Sequence, residues 1–159
     1  MSALTPADFM GQAIDLSVRR MRDGAGGPFG AVIVKDGQVI AEGWNQVTST
    51  NDPTAHAEVT AIRRACQALG TFDLSGCEIY TSCEPCPMCL AAIYWARLDR
   101  IYYGNTRQDA AAIGFDDEFL YQELPKPIDA RSIPTQQIEA AKAKAAFDEW
   151  DRKGDKIRY

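Results

Sequence analysis

The sequence predicts one three-layer α/β domain, a mixed five-stranded sheet with helices on both faces. Three observations lead there. Apolar residues recur near a 3.6-residue period over residues 6–22, as in a helix packed on one side. Asp36-Gly37, a favoured pair for a two-residue hairpin turn, separates two short strand-like runs. From residue 38 to 104, strand-like and helix-like segments alternate, which implies right-handed crossovers and parallel neighbours beside the antiparallel hairpin.

The elements follow in order. In the first helix, 6–22, Met10, Ala13, Ile14, Val18 and Met21 fall near one face, and Gly24-Ala25-Gly26-Gly27-Pro28 stops it. Strands come next at 29–35 and 38–44. The polar loop 46–52 leads to Pro53, a favoured first-turn residue, and a helix reaching about Leu69. A strand at 78–83, a helix at 85–97 and a strand at 100–104 follow. Residues 109–123 read as helical with a break at Gly114, 131–138 as the fifth strand, and the Ala-rich 139–150 as the last helix. Arg19-Arg20 and Arg63-Arg64 read as solvated helix faces. No repeat or linker divides the 159 residues, so 1–159 is expected to be a single domain.

Composition narrows the function. With 46% hydrophobic and 25% charged residues the chain is of the ordinary soluble globular class. A net charge of −5 argues against a protein built around a nucleic-acid backbone, which calls for a basic face. No stretch has signal-peptide order, and the longest mostly apolar run, 88–96, is too short to span a membrane, so a cytoplasmic protein is expected. Three of the five cysteines crowd into 83–89, which suits metal or catalytic use in a reducing compartment better than a disulfide scaffold. There is one histidine, His56.

Two short motifs hold the chemistry: His56-Ala57-Glu58 and Pro85-Cys86-Pro87-Met88-Cys89. Cysteines three apart share a helix face, and a first-turn position favours thiolates through the helix dipole. His56 also falls near a helix start, so two helix N-termini side by side can bring His56, Cys86 and Cys89 to one zinc ion per chain. Three protein ligands leave one tetrahedral position open, the catalytic pattern, and zinc there lowers the pKa of a water to about 7. Glu58 is placed to move protons from that water to a ring nitrogen and then to a departing amine. His-x-Glu followed by Pro-Cys-x-x-Cys is the signature of zinc deaminases. Cys83 ends a strand beyond Pro85 and reads as a core cysteine, with a fourth, structural zinc ligand as the alternative; Cys66 and Cys77 read as core.

On these motifs the chain resembles the cytidine deaminase-like superfamily and, within it, the small bacterial guanine deaminases. The resemblance is densest over 26–37, 51–63 and 80–97, and it extends to Gly114-Phe115-Asp116-Asp117 and Tyr159. It implies hydrolysis of the free base guanine to xanthine and ammonia. It also implies that Asn45 hydrogen-bonds the purine, Phe29 packs on the ring, Trp95 lines the pocket, and Asp117 helps with protons or holds the amine. The family pattern further implies a homodimer that exchanges its C-terminal segment, 151–159, so that Tyr159 closes the other subunit's site. Rival readings keep the zinc chemistry but take guanosine, cytosine or a tRNA adenosine as substrate. The acidic balance weighs against tRNA. A non-catalytic zinc-stabilised binding module is the remaining class, and it gives Glu58 no purpose.

Overall fold

Thr5 opens the first helix of the computed structural model, which describes residues 2–159. Its hydroxyl accepts from the Asp8 N–H, the Asp8 carboxylate accepts from the Thr5 N–H, and Pro6 occupies the first turn of α1, Pro6–Arg22. Phe9, Ala13, Leu16 and Ser17 form the buried face. The chain then runs through β1, Gly30–Lys35, and β2, Gln38–Trp44. Asp36 and Gly37 between them both take positive φ, 49° and 74°, as the expected hairpin turn requires.

A short helix α2, Val47–Thr50, precedes α3, Ala57–Leu69. The sequence had suggested that this helix begins at Pro53. Instead Asp52 accepts from the Thr54 N–H and hydroxyl at 2.9 and 2.7 Å, which holds Pro53 in a turn. Helix α3 starts four residues later, with His56 as its N-cap. Then follow β3, Cys77–Cys83, α4, Pro87–Trp95, β4, Arg100–Asn105, and α5, Arg107–Ala112. Gly114, at φ +96°, ends helical geometry where expected.

The sheet order is β2-β1-β3-β4, with β1 antiparallel to both neighbours and β3 parallel to β4. Thus β2 and β3 run the same way, as the crossover through α3 demands, but β1 lies between them. Side chains of β1 alternate faces. Val32 and Val34 join Phe9, Leu16 and Tyr80 under α1, while Ala31 and Ile33 join Ala57, Ala61, Ala65, Ile79 and Ile93 under α3 and α4. Tyr80 stacks on Tyr102 at 4.4 Å between ring centres on the α1 side.

Two glycines set how closely the helices approach. A Cβ on Gly30 would lie 2.3 Å from the Ala13 carbonyl oxygen of α1, and one on Gly43 would lie 2.2 Å from the Ala57 carbonyl oxygen of α3. Backbone rests on backbone at both places. Arg20 and Arg64 are not simply solvated: their guanidinium carbons lie 4.0 and 4.1 Å from the Trp44 ring centre. Arg64 also donates to the Glu42 carbonyl and the Gln46 side chain, tying α3 to the end of β2.

The sheet has four strands, not the five expected. Residues 131–138 form no strand; a single 3-10 turn, Ile128–Ala130, is followed by irregular chain up to α7, Ala140–Arg152. Pro134 removes a backbone donor in mid-segment, and Ile133 and Ile138 do not alternate with a period of two. The chain divides into two compact units, one ending at Asp117 and one covering Glu118–Tyr159. The second contains α6, Glu118–Glu123, and α7. There the Glu123 carboxylate pairs with Lys126 and accepts from Ser132, which holds its pKa down at about 2. No residue of 118–159 is buried. Among the described residues, no helix is long and apolar enough to cross a membrane.

Candidate metal centre

The site lies at the carboxyl end of β3, where α3 and α4 both begin. His56 is the N-cap of α3 and Cys86 the N-cap of α4; neither side chain caps its own helix. Pro87 starts α4 and puts Cys89 in its first turn. Both motifs lie at helix starts, with His56 and Cys86 one step outside the helices and, of the three residues, only Cys89 in a first turn.

His56 Nδ1 lies 3.7 Å from Cys86 Sγ and 3.5 Å from Cys89 Sγ, and the three ligand atoms are within 4.8 Å of one another. A tetrahedral zinc with Zn–N near 2.0–2.1 Å and Zn–S near 2.3 Å sets nitrogen and sulfur about 3.6 Å apart. Both nitrogen–sulfur spacings match that ion. The electrostatics agree. The hydrogen bond from Cys89 and the contact with His56 drive the Cys86 thiol down to about 4, while Cys89 is pushed up by its ionised neighbour and by burial. The hydrogen bond to Cys86 raises the His56 pKa. Left to protons, the two thiols share one negative charge; a divalent cation allows both to be thiolates. One Zn2+ per chain is the ion this donor set suits.

Glu58 is 6% exposed, and burial raises its pKa. A carboxyl whose proton affinity is raised by burial beside a metal site suits both taking up and giving back a proton. Its Oε1 lies 3.1 Å from the Thr81 hydroxyl, and its side chain also hydrogen-bonds Cys89. Thr81 was not anticipated as a site residue. It shares the face of β3 with Cys77 and Ile79, one period of two beyond them, so strand alternation extended to the carboxyl end would have found it.

Asn45 is buried, and its Oδ1 accepts from the N–H groups of Gly27 and Val47 at 3.3 and 3.1 Å. Two donors fix the orientation of the amide. Gly26 permits this, since a Cβ there would lie 2.4 Å from Asn45 Oδ1. The Phe29 N–H donates to the Gly27 carbonyl and its own carbonyl accepts from the Asn45 N–H, and its ring meets Phe115 edge-on at 4.9 Å. Phe115 itself is 46% exposed. Asp117 is half-buried; burial and the Cys86 charge raise its pKa against the pull of Arg107.

Cys83 is not in the ligand triangle. Its thiol is buried, faces the Thr106 carbonyl at 3.8 Å, and is pushed up to about 11 by burial. Among the described residues the group that could hold an ion has three members, His56, Cys86 and Cys89. Trp95 is not brought to the metal ligands of its own chain. It ends α4, roughly 13 Å along the axis from Cys86 at 1.5 Å per residue, and is 69% exposed. Tyr159 belongs to the second unit.

Residues 5–105 match the sequence profile of the cytidine and deoxycytidylate deaminase zinc-binding region. The chain is 53% identical to the guanine deaminase of Bacillus subtilis over 151 residues, covering 95% of this chain and 97% of that protein. The crystal structure of guanine deaminase from Bacillus subtilis superposes with a TM-score of 0.96 at 51% identity, over 98% of this chain and 99% of that one. A tRNA-specific adenosine deaminase of Agrobacterium fabrum is 47% identical over 95 residues, 60% of this chain and 62% of that protein.

Proposed function

The chain belongs to the cytidine and deoxycytidylate deaminase zinc-binding family, and from that premise we propose that it hydrolyses guanine to xanthine and ammonia. The substrate is carried by one observation, the 53% identity to a guanine deaminase over almost the full length of both chains. The chemistry is supported by the His56, Cys86, Cys89 triangle with the buried Glu58 acid beside it. Zinc bound there supplies an acidified water and a Lewis acid. Glu58 takes a proton as the water oxygen bonds to the ring carbon bearing the amine, and delivers it to the adjacent ring nitrogen. It then passes the second water proton to the amine, and the C–N bond breaks to release ammonia. Asn45 Nδ2 donates to the purine, Phe29 with Phe115 covers the ring, and Asp117 holds the amine or aids its protonation.

The remaining features of this reading concern assembly. The protein acts as a cytoplasmic homodimer in purine breakdown, each subunit closing the other's site with its C-terminal segment. Two observations support this. The 118–159 unit buries none of its residues and leaves Phe119, Ile133, Phe147 and Ile157 exposed, so it has no core of its own. Helix α4 leaves Leu90, Tyr94 and Trp95 exposed, a pattern suited to a helix covered by another chain. Trp95 then lines a pocket in the dimer, and Tyr159 of the partner subunit covers the ring.

Ammonia release measured with guanine, guanosine, adenine, adenosine, cytosine and cytidine tests the substrate. Guanine should be turned over best, and Glu58→Gln should lose at least roughly 10²-fold in kcat with zinc content unchanged. Preferential turnover of another base or nucleoside would replace guanine and leave the zinc chemistry standing.

A further inference from the structure

Thr81 is 1% exposed, and its hydroxyl faces two acceptors, Glu58 Oε1 at 3.1 Å and the Cys83 carbonyl at 3.0 Å. A threonine hydroxyl has one proton and two lone pairs. Shared between the two acceptors, the hydroxyl proton engages Glu58 Oε1 from the strand side and leaves that oxygen an acceptor, so any proton the carboxyl moves is carried on Oε2.

We propose that Thr81 is a positioning residue for deamination: its hydroxyl donates to Glu58 Oε1, fixes the carboxyl, and leaves Oε2 as the oxygen that moves protons. The placement is built into the sheet. Position 81 is paired with Ala31 of β1 and Tyr103 of β4, so its backbone is fixed on both sides. β-Branching restricts its side chain to few rotamers. Glu58 is on a different element, α3, and has a long, rotatable side chain. Without the hydroxyl, the buried carboxyl has one partner fewer and more than one orientation, and the proton it must deliver starts from the wrong place. At 1% exposure Thr81 acts through Glu58 and not on the purine, so the loss falls on kcat rather than KM.

This inference rests on the proposed deaminase reading, and its test separates the two. Thr81→Val keeps the shape and removes the hydroxyl; Thr81→Ala removes it without the second methyl; Thr81→Ser keeps it. Both hydroxyl-less variants should lose kcat for guanine by roughly ten- to a hundredfold with KM and zinc content unchanged. The serine variant should stay within about threefold of wild type. Isotope-edited infrared spectroscopy supplies a reading without turnover. The Glu58 carboxyl band, assigned by its loss in Glu58→Gln, should move in the valine and alanine variants and stay in place in the serine variant. If the wild-type protein does not turn over guanine, the substrate reading fails while the band still decides the role of Thr81. Wild-type kcat in Thr81→Val, a serine variant as impaired as the valine one, an unmoved band, or unfolding of both hydroxyl-less variants would each overturn the proposal.

Discussion

Gly43→Ala tests whether the active site depends on backbone contact between β2 and α3. The new Cβ would lie 2.2 Å from the Ala57 carbonyl oxygen, 2.5 Å from the Ala61 nitrogen and 2.8 Å from the Ala61 Cβ. Ordinary contact begins near 3.4 Å, so the start of α3 must lift by about 1.2 Å. These neighbours are helix backbone and cannot swing aside as a flexible side chain would. Overpacking of this kind typically costs about 1–3 kcal/mol, and each kcal/mol lowers Tm by about 2–4 °C in a chain of this size. The displaced turn carries His56 and Glu58, whereas Cys86 and Cys89 stand on α4. A misplacement near 1 Å in a catalytic group costs about 10²-fold in rate. Gly30→Ala is the control. Its Cβ would meet the Ala13 carbonyl oxygen at 2.3 Å, a comparable clash, but with α1, which holds none of the site residues. Melting, zinc competition against a chromogenic chelator, and ammonia release should show both variants destabilised alike. Only Gly43→Ala should lose zinc affinity and kcat. Wild-type kcat and zinc affinity in Gly43→Ala, or an equal loss of kcat in Gly30→Ala, would refute the reasoning.

Three further outcomes are expected. Cys86→Ser and Cys89→Ser should lose zinc and melt lower, as should the wild-type protein after chelation, while Cys83→Ser keeps its metal by elemental analysis. Asn45→Ala and Asp117→Ala should bind zinc normally and lose kcat/KM for guanine; Asn45→Ala should also melt lower, because the Gly27 and Val47 amides lose an acceptor at about 1–3 kcal/mol for each group left unsatisfied. Deleting residues 156–159 should leave a folded, zinc-loaded protein with activity reduced at least roughly tenfold. Co-refolding that chain with Glu58→Gln should restore part of the activity, and full activity of the truncated protein alone would remove the lid from the mechanism.

What could be read from the sequence was local chemistry with a fixed geometric consequence. Asp36-Gly37 tolerates two positive φ values, so the hairpin was legible. His56, Cys86 and Cys89 were legible because zinc requires those donors, and N-terminal turns of adjacent helices are where they can meet. The start of α3 was misplaced because Asp52 captures the Thr54 amide and hydroxyl, a competing local bond that outweighed the helix preference of Pro53. The fifth strand failed for another reason. A strand exists only with a neighbour, and the isolated apolar residues Ile133 and Ile138 say nothing about where one would be. Trp44 between Arg20 and Arg64, and Thr81 under Glu58, join residues far apart in the chain, and nothing near them in sequence announces the contact.

The N-cap positions of α3 and α4 have a consequence beyond metal binding. Soluble helices usually open on Ser, Thr, Asp or Asn, whose side chains satisfy an early N–H and contribute about 1 kcal/mol. Here those places are taken by His56 and Cys86, which make no such bond. Helix capping and metal binding therefore favour different residues at the same two positions. In a lineage released from the need for the reaction, drift at 56 and 86 should run toward ordinary capping residues, and such descendants could hold their helices better than the metal-free ancestor did. Histidine and cysteine at these places serve the metal, since capping alone would favour other residues.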